Sequence, residues 1–161
     1  MNILYLTNNV FTESNSTYRA NALKRLGHNV LIENLTNVLS NNFFFRKINF
    51  DYITGYKFVQ KKINNWIDIN KRYFLDFTPN LIFIDSGELF GSEAIKKLKF
   101  INCPIVLLNN DDPTGPRDKN RFNSLKEAIP YYDFCFVVRE QSITEFKKIG
   151  CKNTFLFHRG Y

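Results

Sequence analysis

The chain has 161 residues, of which 44% are hydrophobic and 16% aromatic, so it is long and apolar enough for one domain with a true core. These proportions exclude a disordered segment, and the 17 phenylalanines call for burial inside the fold or under a partner. The 22 Lys and Arg outnumber the 15 Asp and Glu to a net charge of +7, which favours anionic partners such as phosphate, nucleic acid or a membrane surface, although a Lys- and Asn-rich background leaves the same excess.

Asn2–Thr7 reads as a short, almost continuously apolar strand starting at the second residue. A loop follows, and Ser14 or Ser16 can cap a helix in which Tyr18, Ala22, Leu23 and Leu26 share one face and Arg19, Asn21, Lys24 and Arg25 the other. Gly27 suits the position that ends this helix, and Asn29–Leu35 forms a second strand, so the opening is β-α-β. The segment 39–50, with Phe43-Phe44-Phe45 followed by Arg46-Lys47, reads as a flap packed on the sheet or as a lip over a site. From Tyr52 to about Phe77 the spacing of Val59, Ile63, Trp66, Ile67, Phe74 and Phe77 predicts one long amphipathic helix with a basic outer face.

Pro79 ends that helix, and Asn80–Asp85 is the third strand. Ser92 then caps a helix that turns Ala94, Ile95, Leu98 and Ile101 inward. Pro104–Asn109 is the fourth strand. A helix from about Asp118 buries Phe122, Leu125 and Ile129, and Asp133–Val138, Glu140–Ile149 and Asn153–Phe157 are a strand, a helix and a last strand. Strands alternating with helices predict a three-layer α/β/α, Rossmann-like single domain over 1–161 with a mainly parallel six-stranded sheet. The switch point of such a sheet falls between Thr7-Asn8 and Asp85-Ser86, with Asp111-Asp112 on the adjoining strand.

The strand that matters most for function ends in Asn109-Asn110-Asp111-Asp112-Pro113. A core has no use for two adjacent carboxylates, whereas open parallel sheets bind ligands at the carboxyl ends of their strands. Asp85, Glu88, Asp111 and Asp112 together offer oxygen ligands for a hard cation, acceptors for sugar hydroxyls, or a general base. The plainer role for an Asp before Pro is to cap its own turn. Arg139, at the end of the fifth strand, can neutralise these acids or clamp an anionic group. The loop after the first strand has no glycine, so a dinucleotide fingerprint is missing; the Gly-Lys-Ser/Thr phosphate loop and the Gly-x-Ser-x-Gly elbow are missing too.

Cys103, Cys135 and Cys151 have no metal-type spacing and read as thiols in a reducing compartment. The chain enters a strand directly, and no apolar stretch approaches the roughly 20 residues that span a bilayer. The expected location is the cytoplasm, with the inner membrane face as a peripheral option.

Ser86-Gly87-Glu88, Asn110-Asp111-Asp112-Pro113, the run Asp133–Arg139 and the run Ile149–Tyr161 together resemble the N-terminal half of CgeB-like glycosyltransferases, two-domain enzymes of the GT-B type. The resemblance covers nearly the whole chain and is clearest over 80–161. It implies the acceptor-side half of an enzyme that moves a sugar from a nucleotide-sugar to a glycan, lipid or protein acceptor. On this reading Asp111 and Asp112 are the catalytic acids, and Asn8, Ser14, Tyr18, Gly87, Glu88 and Arg139 line the acceptor site. The family implies no bound metal and no cofactor in this half. The nucleotide-sugar is a co-substrate held by a second Rossmann-like donor domain, in cis or in trans, which is expected to lie outside these residues and without which transfer is not expected. The alternative is a stand-alone flavodoxin-like binding or regulatory module whose acidic edge holds Mg²⁺. A nucleic-acid-binding role has less support, because the lysines are spread over several helices and no recognition motif is present.

Overall fold

The computed structural model describes residues 1–8, 14–38 and 50–158. In chain order they form β1 (Asn2–Thr7), α1 (Asn15–Arg25), β2 (Asn29–Asn34), α2 (Phe50–Ile53), α3 (Gln60–Phe77), β3 (Leu81–Asp85), α4 (Ser92–Leu98), β4 (Ile105–Asn109), α5 (Asn123–Ala128), β5 (Phe134–Val137), α6 (Glu140–Ile149) and β6 (Thr154–Leu156). Single 3-10 turns follow β2, precede α3, and extend α4 and α5. The six strands make one sheet in the order β2-β1-β3-β4-β5-β6, and every neighbouring pair is parallel. This is the expected Rossmann-like α/β fold. Among the described residues, no helix is long and apolar enough to cross a membrane.

Handedness determines where the helices lie. The chain steps one way from β1 to β2, and the other way at every later crossover. Right-handed connections therefore place α1 on one face and the later helices on the opposite face. The larger core forms on that opposite face. Leu4, Leu6, Ile82, Ile84, Leu107, Cys135 and Val137 from the strands meet Ile63, Ile67 and Phe74 of α3, Ile95 of α4, Leu125 of α5 and Phe146 of α6. A smaller cluster of Ile3, Tyr5, Ala20 and Val30 lies under α1. Each fully buried large apolar side chain contributes about 1.5–3 kcal/mol, so the helix-rich face carries most of the stability. β1 and β4 are buried on both faces, which is why they read as unbroken apolar runs. On the core side Cys135 and Cys151 share a thiol hydrogen bond that pushes Cys135 up and Cys151 down to about 6.

The structure corrects the sequence reading in four places. First, α1 turns Ser16 and Ala20 inward and leaves Tyr18 55% and Leu26 73% exposed. Its orientation follows Arg19, which reaches over the sheet to a buried carboxylate. Second, the long helix expected from Tyr52 is broken. Gly55 and Tyr56 adopt left-handed φ values of 65° and 59°, and α3 begins only at Gln60. A Cβ on Gly55 would lie 2.3 Å from the Asn120 carbonyl oxygen, so the break is a close backbone approach to the α5 side of the molecule. Third, the helix expected from Asp118 begins at Asn123, after an irregular stretch that carries charged side chains. Fourth, Gly91 and not Ser92 is the N-cap of α4. The aromatic run Phe43-Phe44-Phe45 lies outside the described residues.

Candidate functional site

Because all strands are parallel, Asn8, Asp85, Asp111 and Arg139 stand at one edge of the sheet, as expected. Right after β3 the chain folds back sharply. Ser86 and Gly87 both have left-handed φ, 72° and 73°, and Ser86 N–H bonds the Leu108 carbonyl at 2.8 Å. A Cβ at Gly87 would sit 2.5 Å from Leu107 Cδ1, so only glycine lets this turn lie flat on β4. The turn delivers Asp85 and Glu88 to different neighbours.

Asp85 is sealed in. Its side chain is 0% exposed. It accepts a 2.6 Å hydrogen bond from the Tyr5 hydroxyl and three contacts of 2.8–3.1 Å from Nε and Nη2 of Arg19. A buried carboxylate needs such a partner, and a guanidinium supplies two parallel donors. Burial, then the charge of Asp85, pushes the Tyr5 phenol far above its ordinary range. Burial acts against the Arg19 charge, but Asp85 overrides it and the guanidinium pKa moves up.

Glu88, also buried, anchors a second cluster. It accepts from Asn8 Nδ2 at 2.6 Å and from Arg121 Nε at 2.7 Å. Arg121 lies against the rings of Tyr52 and Phe122, at 4.9 and 4.6 Å from their centroids. It also reaches Asp111 at 3.6 Å and Asp118 at 4.0 Å. Tyr52 donates from its hydroxyl to Asp118 at 2.9 Å. Burial first, then Glu88, raises the Tyr56 phenol. Beside this cluster Asn109 is fully buried. Its Nδ2 donates to the Ser86 carbonyl, and its Oδ1 has no hydrogen-bond partner among the described residues.

The two neighbouring acids after β4 have different roles. Asp112 closes its own turn, accepting from Gly115 N–H at 3.0 Å and from the Thr114 hydroxyl at 3.3 Å, and it pairs with Arg139 Nη1 at 2.6 Å. The plainer role, turn capping, thus accounts for Asp112. The single hydroxyl proton of Thr114 is shared between Asp112 and Glu145 of α6. Asp111 keeps a side chain 29% exposed, and its one ion pair among the described residues is the long one to Arg121.

Of the remaining residues expected at the site, Ser14 is the N-cap of α1, accepting from Thr17 N–H at 3.1 Å. Tyr18 projects from α1 while its neighbour Arg19 turns to Asp85. Gly87 shapes the turn beneath Glu88. The sequence reading missed Tyr5, Arg19, Tyr52, Tyr56 and Arg121. One signal was available for the arginines: a carboxylate that ends an apolar strand requires a buried cation nearby, and arginine is the residue that can be buried in a pair.

No group of three or more His, Cys, Asp or Glu side chains arranged to hold a metal ion occurs among the described residues. The four acids of the edge instead face Arg19, Arg121 and Arg139. A cation would have to displace these guanidinium partners. A concavity of about 700 Å³ opens at the opposite, amino-terminal edge between Lys99, Pro104, Pro130, Phe134 and Lys152. Its carboxylate, Asp133, is occupied by Lys99 and the Ile105 N–H.

Compared with protein-family models and with curated protein sequences, the chain shows no match. What the edge can do is therefore read from its geometry: it presents four carboxylates against three guanidinium groups, an aromatic ring beside them, and in Asp111 a partly exposed carboxylate without a short ion pair among the described residues.

Proposed function

We propose that this chain is the acceptor-binding half of a glycosyltransferase. The observation that carries the reading is Asp111. It is the edge carboxylate with a partly open side chain and no short ion pair among the described residues, held where parallel α/β sheets receive ligands. A base in glycosyl transfer takes the proton of the acceptor hydroxyl as its oxygen attacks the anomeric carbon, while the nucleoside diphosphate leaves with the electron pair of the broken bond. Asp111 fits the base, and Arg121 restrains it from one side without closing it off. Asn8 and Arg121 are bonded to the buried Glu88, so the hydroxyls of a neutral sugar would meet the remaining donor hydrogens of Asn8 and Arg121 and not Glu88 itself. Tyr52 offers a ring edge close to them. Asp112 and Arg139 hold the loop that carries Asp111, which makes them positioning residues on this reading.

The donor nucleotide-sugar is assigned to a second domain, in cis or in trans. Tight pyrophosphate binding combines a helix N-terminus with close backbone approach through glycines, and the loop after β1 has none. The test is a titration of the chain with UDP, GDP and their sugars, set against neutral oligosaccharides and followed by backbone NMR. Oligosaccharides should shift amides around Asn8, Glu88 and Asp111, and nucleotides should shift them only at millimolar concentration. Micromolar nucleotide binding at the loop after β1 would make this half the donor site and overturn the proposal.

The Mg²⁺-binding regulatory module is tested by the same spectra. Micromolar Mg²⁺ affinity that is lost in Asp111→Asn would favour it over the glycosyltransferase reading.

A further inference from the structure

On the face of the sheet that carries α1, β5 and β6 have no helix over them among the described residues. The topology causes this, because every crossover after β2 runs in one direction and sends its helix to the other face. The register identifies the side chains left behind. Tyr5 pairs with Phe83, Phe83 with Val106, Val106 with Phe134, and Phe136 with Phe155, so these aromatics share the face on which Tyr5 meets Ala20 of α1. Phe155 packs against Phe134 and Phe136 at 6.5 and 5.7 Å between ring centroids. Yet Phe134 is 36%, Phe155 47% and Phe157 40% exposed. Phenylalanines clustered in this way and left partly in water mark an interaction surface.

We propose that this aromatic face docks one amphipathic helix of an acidic partner protein, independently of the acceptor site. The width of the patch fits a single helix. Strands β4 to β6 span two inter-strand steps, about 10 Å, and a helix with its side chains is about 10–12 Å across. On the same face α1 covers the β1–β2 half of the sheet in this way. The area fits as well. A buried aromatic covers about 150–250 Å², so the exposed parts of these three rings amount to roughly 250 Å². That suits the apolar stripe of a short helix in a weak, transient contact; it falls far below the ~800 Å² per partner of any stable interface, a dimer of this chain included. Charge then selects the partner. A net charge of +7 opposes a second copy and favours an acidic protein. Exposed Lys152, just before β6, places a cation at the amino-terminal end of the patch.

The experiment uses the full chain and an 18-residue peptide with Leu at i, i+3, i+4 and i+7 and Glu on its flanks. Two control peptides replace Glu by Lys or scramble the Leu spacing. The expected result is amide shifts confined to β5 and β6, with affinity at least ten-fold weaker for either control and for Phe155→Ser. A spin label on the Glu peptide should broaden the same amides of the unaltered chain, which reads the contact without any variant. Equal affinity for the three peptides, or broadening centred on α3–α6, would overturn the proposal. So would a concentration-dependent dimer of the chain that Phe155→Ser converts to monomer, since a second copy would then be the occupant.

Discussion

Two arginine–carboxylate clusters stand side by side at one edge of the sheet, and they differ in how far water reaches them. In the first, Tyr5, Arg19 and Asp85 saturate one another beneath α1, and the carboxylate has no exposed surface. In the second, Arg121 is shared among Glu88, Asp111 and Asp118, and Asp111 stays partly open. The chemistry is the same, but the surroundings divide the work. The sealed pair joins α1 to β3, and its carboxylate has no capacity left for a ligand. The shared arginine leaves one carboxylate under-satisfied, which is what a binding or catalytic group requires.

The difference between the clusters should be largest at Asp85. Asp85→Ala leaves Arg19 uncompensated and should destabilise the fold by about 3–5 kcal/mol, read as a fall in urea midpoint. The double variant Arg19→Met/Asp85→Leu should recover most of that loss, because an apolar pair of similar volume often replaces a buried ion pair at no cost. If the single variant is as stable as the parent, the cluster is not structural.

Next in size is Gly87→Ala. Its φ of 73° and the 2.5 Å approach to Leu107 Cδ1 leave no room for a methyl, and such strain costs of order 1–3 kcal/mol. Thermal unfolding should register it. An unchanged midpoint would mean that the turn beneath Glu88 is softer than its geometry implies.

Alkaline pH probes the sealed cluster without mutation. The Tyr5 phenol is raised above its ordinary value of 10.0, first by burial and then by Asp85. Below pH 10 both folded and unfolded chains hold this proton, and the stabilisation is fully present. Above pH 10 the unfolded chain releases it while the folded chain does not, so stability falls with a slope of up to about 1.4 kcal/mol per pH unit from this group. Denaturant midpoints at about pH 9, 10 and 11 should show the fall, and Tyr5→Phe should flatten part of it. An identical slope in Tyr5→Phe would place the titrating group elsewhere.

The open side should respond least. Asp112→Asn keeps an oxygen for the Gly115 N–H and loses the partly exposed pair with Arg139, which is worth about 0.2–1 kcal/mol. Urea midpoints measure this, and a loss as large as that of Asp85→Ala would erase the distinction between sealed and open acids.

Much of this fold is legible in the chain. The apolar run Ile3–Leu6, the Gly27 stop and the apolar run after Pro104 specify the strands, and handedness then fixes the topology. The edge that gathers Asn8, Asp85, Asp111 and Arg139 follows from strand ends alone. The partners of the acids were not legible, because Arg19 and Arg121 sit in segments whose local pattern suggests solvent, and only tertiary contact shows them turned inward. Tyr18 shows the same limit: helical spacing grouped it with Leu23, but the demand of Asp85 for Arg19 rotated α1 and left it exposed. Gly55 broke an apparently continuous helix because of Asn120, which is distant in sequence.

The most direct test of the division between the clusters compares Asp111→Asn with Asp85→Asn in two readouts, thermal stability and oligosaccharide binding by NMR titration. Asp111→Asn should unfold at the parent temperature and lose at least ten-fold in affinity, while Asp85→Asn should lose stability first. A chain in which Asp111→Asn lowers stability as much as Asp85→Asn, and binds sugar as the parent does, would contradict that division.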